Sequence, residues 1–559
     1  MPASDAELRA ALPPRSKIEK LVSRFFNSQD PAAQVLHYKT FHDRMNAYFA
    51  DPKSQSTAWV GLLYATITLA MQSFSKVGDE PPEWKGRTRE MASEFRQRTV
   101  QALVACDYMR PNVYTIETLV LYVHGEYSNR MEIDMGLWLV IGMVVRLAMR
   151  MGYHRDAEQF NNVTPYQAEM RRRVWLFVRQ CDILFSSELA LPSMVKSWDC
   201  DTQFPRNIFD DEFTIESKEL PPARPDNEAT PMSYVISKAR LAYMLGDIIE
   251  ETQAINGRQV TYDDIMRKDQ KLRDIQASIS PHLQIKPLSD SLLDPSSLLM
   301  QRYYLDILYQ KSLCILHRRY ISRAPSNPRY AHSRRTAVEA SMQLLGIQEL
   351  LHRESEPGGR LNQMMWFVTS LQKNDFLLGA MIVCLDLNYD ATAEQYDRFF
   401  WSPEQRANML RALETVLAIW ERGAGVSMEA FKAAKILRIM LEKLRSQRDG
   451  LPQSTADAFA QFDEEQQEHS AAMTLGMLSS GGLTPNTAAM FAGAGAMTTP
   501  GRVDTAMGDG GAYTDATTAN GGPASPFSQI FGAGAATSIM DLPDNLDWVS
   551  SVPRAFSDF

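Results

Sequence analysis

His154, Arg155, Asp156 and Asn161 stand in the order H-R-D-x-x-x-x-N. In a phosphoryl-transfer enzyme that order gives an Asp to accept a hydroxyl proton and an Asn to hold magnesium. The companions are missing. No Gly-rich phosphate loop or strand lysine accompanies it, and Asp375-Phe376 runs on into Leu377 instead of a glycine. The triplet reads instead as a helix-ending turn whose polar side chains satisfy backbone groups. The run Arg171-Arg172-Arg173 follows, with Glu169 just before it. Glu169 and Arg173 are four apart, the spacing of a helical ion pair. One of three consecutive arginines must also face inward or sideways. Buried charges are paired, so that arginine needs a carboxylate such as Asp182, Asp210 or Asp211; phosphate binding is the alternative. The nine histidines include no H-E-x-x-H, and His37 and His42, five apart, do not share a helix face. The five cysteines, Cys106, Cys181, Cys200, Cys314 and Cys384, show no metal-ligand spacing, so they build no zinc cluster. No nucleophile elbow and no P-loop occur, and Gly493-Ala494-Gly495 has no strand before it. The residues point to no catalytic and no metal site in this chain.

These residues sit in one stretch, Asp134 to Phe213. Ile133, Leu137, Val140/Ile141, Val144, Leu147/Ala148 and Met151 recur at three- and four-residue spacing, which predicts an amphipathic helix. Gly152 can turn left-handed and end it. Thr164-Pro165-Tyr166-Gln167 opens the next helix: Thr164 caps, Pro165 fits the first position and Gln167 completes a capping box. Met170, Val174, Phe177, Cys181 and Leu184 form its buried stripe. Pro205 biases its neighbour away from helix, so the segment through Asn207 reads as extended.

The rest of the chain repeats the helical pattern. Residues 1–14 read as a polar arm, and helices begin at Arg15 or Ser16. A helix or helix pair is expected over Gln34–Phe49, and further helices over Thr57–Phe74, Glu83–Ala105, Glu117–Gly125, from Met232, and over Thr261–Ile279, Leu298–Arg319, Arg334–Leu351, Met364–Leu387, Pro403–Arg422 and Met428–Leu444. No stretch alternates with period two over a strand's length, so residues 15–450 predict an all-α, multi-helix body. Residues 451–539 change character. Thirteen of the chain's 29 glycines lie between Gly476 and Gly534, among Ala, Thr, Ser and Met. Such a segment buries too little surface to offset the entropy of ordering and reads as a disordered linker. Residues 540–559 differ again. Asp541, Asp544 and Asp547 interleave with Leu542, Leu546, Trp548 and Val549, and Phe556 and Phe559 close the chain. Acidic-hydrophobic alternation is the composition of an activation segment, able to dock in a partner's groove as a short helix.

Charge follows the same division. The net charge is −9, and the tail from Leu451 carries 12 acidic against 2 basic residues. The body is therefore near neutral, without the concentrated basic footprint of a duplex-DNA reader. The start, MPASDAELRA, has no apolar core of a leader, and the odd cysteine count suits a reducing compartment. Two apolar stretches, Ala58–Ser73 and Phe376–Leu385, fall short of the ~20 apolar residues that span a bilayer; no membrane partner is expected.

Several motifs in order carry a resemblance. They are Gly142-x-x-Val145-Arg146-Leu147-Ala148, Met151-Gly152-Tyr153-His154-Arg155-Asp156, and Glu169-Met170-Arg171-Arg172-Arg173-Val174-Trp175 with Asp182. Leu191-Pro192-Ser193, Asp201-x-x-x-Pro205-Arg206-Asn207 and Asp210-Asp211 follow. Weaker echoes are Leu12-Pro13-Pro14-Arg15, Phe25-Phe26, His37-x-x-Thr40-Phe41, Leu316-His317-Arg318 and Asp375-Phe376. Together, over residues 12–445, the chain resembles the regulatory middle homology region of fungal zinc-cluster transcription factors. Three departures are expected to change loop geometry: Lys39 and Arg319 stand where the family usually has proline, and Ala190 where it often has glycine.

The resemblance implies a nuclear regulator of RNA polymerase II transcription, often of one metabolic pathway, acting as a homodimer or heterodimer. It implies that Gly152, His154, Arg155, Asp156, Glu169, Arg171, Arg172, Arg173, Trp175, Asp182, Pro205 and Asn207 are architectural. The family's six-cysteine zinc module is not among this chain's residues. Zinc and direct DNA contact are expected only through such a module upstream, otherwise DNA contact comes through a partner. The tail would recruit co-activators or the transcription machinery. A metabolite sensor or metabolic enzyme with an all-α pocket is the alternative reading.

Overall fold

The computed structural model describes residues 3–448, apart from 29, 131–134, 254–259, 326, 365–372, 393–399 and 426. Among these residues there are fifteen α-helices and no strand. The architecture is all-α, as the missing period-two alternation predicts. The helices are α1 Asp5–Ala10, α2 Arg15–Asn27, α3 Tyr38–Ala50, α4 Thr57–Val77, α5 Thr88–Ala105, α6 Thr115–Arg130, α7 Met135–Arg150 and α8 Pro165–Glu188. They continue with α9 Pro231–Gln253, α10 Tyr262–Ala277, α11 Ser296–His317, α12 Ala331–Ser355, α13 Lys373–Thr392, α14 Pro403–Gly423 and α15 Met428–Arg448.

The N-terminal half is built on α4. The Ser56 hydroxyl accepts the Trp59 N–H at its start, and Gly78 closes it at φ 80°. Its side chains from Ala58 to Gln72 are buried, which is how a helix with no solvent face reads in sequence. Helices α2, α5 and α6 pack around it. The chain then passes through α7, α8 and α9 to α11. The C-terminal half gathers on α12 and α13, which touch each other and take α14 and α15 on their flanks. One hydrophobic core runs from Leu8 to Leu441.

The first fourteen residues are not the bare polar arm expected. Ser4 and Glu7 form a reciprocal capping box that starts α1, and Leu8 is fully buried in the core. The Tyr64 hydroxyl donates to the Leu8 carbonyl at 2.7 Å. One apolar residue in a short polar run is too little periodicity to announce a helix. Gln34–Phe49, expected as one amphipathic helix or a helix pair, falls in two helical pieces. Pro31–Val35 is a 3-10 turn, and α3 starts only at Tyr38, because the His37 side chain caps it by accepting the Thr40 N–H. The 3-10 turn keeps the chain tight after Pro31, so Ala32, Ala33 and Val35 reach the core. Ile133, residues 365–372 of the expected Met364–Leu387 helix, and residues 449–559 lie outside the described residues.

Candidate functional site

The His-Arg-Asp turn is held by two segments of chain. Gly152 ends α7 at φ 76°, and the Met151 carbonyl accepts from Arg171 Nη2 at 2.6 Å. His154 offers its carbonyl to the Asp201 N–H at 3.1 Å, and its ring tilts against Trp175, whose indole is buried. Arg155 is exposed and pairs with Asp201 at 3.0 Å. Asp156 is the hub. Its Oδ2 accepts from Arg172 Nε at 2.9 Å and its Oδ1 from Arg172 Nη2 at 2.7 Å. The Glu158 and Gln203 N–H groups bind the same carboxylate at 3.1 and 2.8 Å. Burial pushes the Asp156 carboxyl up, but the hydrogen bonds from Arg172, Gln203 and Glu158 outweigh it and hold it below its ordinary value. A carboxylate so occupied cannot take a substrate proton, and Asn161 is exposed and away from this network. The geometry is that of a clamp.

Arg173 is the inward arginine. It reaches Glu169 at 3.1 Å, one turn back on α8, and Asp210 at 2.7 Å. Glu169 and Arg173 are both out of water. The second oxygen of Glu169 accepts the Arg206 N–H at 3.2 Å, so the pair also ties down the segment after Pro205. Asp210 in turn joins α3: its carbonyl meets His37 Nε2 at 2.9 Å. Since His37 Nδ1 accepts the Thr40 N–H, the ring carries its proton on Nε2 and donates it to Asp210.

Asp182 is not an arginine partner. Its Oδ2 accepts the Met194 and Val195 N–H groups at 2.9 and 3.0 Å, and burial raises its carboxyl to about 6. Asp211 is exposed. Pro205 is buried beside Asn207. The Asn207 amide holds the next loop closed, accepting from Thr230 and Ser233 at 2.6 and 3.1 Å and donating to the Glu228 carbonyl at 3.1 Å. Ala190 stands at φ 54°, left-handed despite its Cβ, so its backbone adopts the conformation a glycine would take. Asp541, Asp544, Leu546, Asp547, Trp548, Phe556 and Phe559 lie outside the described residues.

Met151 and Tyr153, just ahead of the His-Arg-Asp triplet, help to wall a cavity that spacing did not announce. It has a volume of about 340 Å³ and lies between α3, α4, the start of α6 and the α7–α8 turn. Trp59 and Leu62 make its apolar floor, and Tyr153, Arg171, Arg44 and Glu117 bring polar groups to it. The Tyr153 hydroxyl donates to Glu117 Oε1 at 3.3 Å. Burial pushes the Glu117 carboxyl up, against the pull of Tyr153 and Arg171. The lining residues run from Val35 to Ile215 in the chain, so only tertiary packing assembles them.

Further ion clusters lie in the core. Lys311 of α11 binds Glu188 and, at 2.6 Å, Asp375. Arg334 meets Asp386 at 2.5 Å, and the Trp401 indole donates to the same carboxylate at 2.6 Å. A single charge inside an apolar helical run was the available signal for each. Among the described residues no three His, Cys, Asp or Glu side chains converge to hold a metal. Cys181, Cys314 and Cys384 are buried, and burial pushes the Cys181 and Cys314 thiols to about 12. These cysteines do not fit a zinc centre, which needs clustered thiolates. Among the described residues no helix is long and apolar enough to cross a membrane.

The profile of the fungal specific transcription factor domain matches residues 22–286. The transcription factor cghF of Chaetomium globosum is 31% identical over 436 residues, covering 78% of this chain and 76% of that protein. The chain belongs to the fungal-specific transcription factor family. The Zn(2)-C6 fungal-type transcription factor mpsB of Macrophomina phaseolina is 35% identical over 459 residues, 82% of this chain and 62% of that protein. The fusarisetin A cluster transcription factor fsa6 of a Fusarium species is 32% identical, over 80% of this chain and 59% of that protein. The chain thus spans about three fifths of the length of the first of these curated relatives. In this fungal-specific transcription factor domain, the matched residues contain the Asp156 clamp, the Arg173 pair and the cavity.

Proposed function

We propose that this chain is the regulatory part of a pathway-specific activator that acts in the nucleus on RNA polymerase II transcription of a fungal biosynthetic gene cluster. The observation that carries the reading is similarity over about four fifths of the chain to transcription factors, one of them named for a cluster. The helical body does the regulating; Asp156, the carboxylate of the kinase-like triplet, is taken up by Arg172 and two backbone N–H groups, which supports a role without catalysis. The acidic-aromatic tail of residues 540–559 recruits co-activators. DNA is reached through a zinc-cluster module preceding this chain, or through a partner that carries one, with the body as a homo- or heterodimer. The cavity makes metabolite sensing part of this regulation instead of a rival to it.

Chromatin immunoprecipitation of the tagged protein from its host tests the reading. Enrichment at the promoters of one contiguous set of biosynthetic genes is the expected result. A cytosolic protein with no promoter enrichment would count against it.

A further inference from the structure

The cavity beside the His-Arg-Asp turn holds more positive charge than its own residues balance. Arg44 lies over the Tyr114 ring with its guanidinium carbon 5.4 Å from the centroid, and Arg171 over the Tyr153 ring at 4.4 Å. Their polar contacts are to neutral groups. Arg171 Nη2 donates to the Met151 carbonyl, and Arg44 Nη1 to the Gln55 amide oxygen at 3.5 Å. Arg44 Nε, Arg171 Nε and Glu117 Oε2 are all out of water, and none has a hydrogen-bond partner among the described residues. This contrasts with the two arginines that follow Arg171. Arg172 and Arg173 each hold two carboxylates.

Arg44 and Arg171 are half-buried, and a charge partly withdrawn from water without a counter-charge is costly and is normally paired. Three unsatisfied polar atoms around one apolar cavity therefore point to a missing partner. The sign of that partner follows from the residues. If Glu117 is ionised, one positive charge remains over; if it keeps its proton, as burial favours, two remain. Either way the complement is an anion. The floor of Trp59 and Leu62 calls for an apolar body, and a volume of about 340 Å³ suits a small organic molecule. Tyr114, at the rim, has φ 76°. A bulky residue rarely adopts that conformation, and such strain is found at ligand clamps.

We propose that this cavity is an effector site for a small, largely apolar organic acid, whose carboxylate or enolate is taken between Arg44 and Arg171 while Trp59 and Leu62 enclose its body. Glu117, held by Tyr153, offers its free oxygen to a hydroxyl on the same ligand, or its proton to an acceptor. The ligand touches Tyr153 and Arg171, whose chain neighbours Asp156 and Arg172 form the clamp. Occupancy is thereby felt where α7, α8 and the segment after Asp201 meet.

The test uses the full chain and three carboxylate probes, decanoate, phenylbutyrate and naphthylacetate, each paired with its neutral amide. Titration is followed by quenching of tryptophan fluorescence and by calorimetry. Binding of at least one carboxylate is expected, with its amide weaker by tenfold or more, since a charge-assisted contact is roughly twice as strong as a neutral one. Arg171→Met and Arg44→Met should each weaken the carboxylate by about tenfold and leave the amide nearly unchanged. The acid-to-amide ratio is read on the wild-type protein, so it stands even if a variant does not fold. Equal affinity for acid and amide, no binding by any probe, or full affinity in both folded arginine variants would overturn the proposal. None of these outcomes depends on DNA or transcription.

Discussion

Arg172 of α8 grips Asp156, sixteen residues earlier in the chain, through two hydrogen bonds of 2.9 and 2.7 Å, with both side chains nearly out of water. The pair joins α8 to the turn that ends α7, and the same carboxylate captures the segment at Gln203. It converts a sequence that imitates a catalytic loop into a fastening.

Breaking that fastening leaves a buried guanidinium without its main partner. Asp156→Ala should destabilise the body by about 3–5 kcal/mol. Arg155→Ala, one position away, removes the exposed pair with Asp201 and an exposed hydrogen bond to Gln159 and should cost about 0–1 kcal/mol. Urea unfolding followed by circular dichroism measures both. Equal costs would mean that Asp156 is not the hub.

Two positions that follow α7 and α8 share the left-handed backbone but not the residue type. Gly152 stands at φ 76° and Ala190 at φ 54°. A left-handed conformation costs a residue with a Cβ roughly 1–2 kcal/mol, and a Cβ on Gly152 would also lie 3.3 Å from Arg171 Nη2. Gly152→Ala should therefore lower stability by at least that much. Ala190→Gly should raise it by about 0.5–1 kcal/mol, because the added freedom of glycine in the unfolded chain offsets part of the gain. Thermal denaturation of the two variants should shift in opposite directions.

How much of this was legible is clearest on α8. Its start could be read residue by residue, since Thr164, Pro165 and Gln167 act locally through hydrogen bonds within one turn. The Glu169–Arg173 pair was legible for the same reason, as helical geometry alone brings i and i+4 together. Its extension to Asp210 was legible only as one of several carboxylates. The partner of Arg172 was not, because Asp156 reaches it by a fold-back of the chain that no periodicity encodes. The cavity was illegible throughout: Arg44, Glu117 and Arg171 come from three helices, and only packing makes them neighbours. Leu8 was missed because a short helix held by one buried side chain leaves almost no pattern.

Asp182 gives the fold a pH dependence of definite sign. Burial raises its carboxyl to about 6 in the folded chain, above the unfolded value of about 3.9. The folded state thus holds the proton more tightly. The resulting stability is fully present below about pH 4 and is lost as pH rises through about 6. The span of about two units corresponds to roughly 3 kcal/mol at most. Asp182→Asn keeps an oxygen for the Met194 and Val195 N–H groups and cannot ionise. Its unfolding midpoint, compared with wild type, should therefore gain between pH 4.5 and pH 7.5, both values chosen to bracket about 6. A constant difference across that range would contradict the assignment.

The tail carries its own expectation. Residues 540–559, fused to an unrelated DNA-binding domain, should activate a reporter. Replacing Trp548, Phe556 and Phe559 by Ala should remove most of that activity, since apolar side chains supply the docking contacts when a short amphipathic segment binds a partner's groove. Full activity in the triple variant would rule out the segment as the activator.

Control of one biosynthetic pathway's transcription is tested most directly by transcript levels in the host after deletion of the gene. Messages from one contiguous gene cluster should fall together under producing conditions and return on complementation. Unchanged cluster transcripts in the deletion strain would contradict the account.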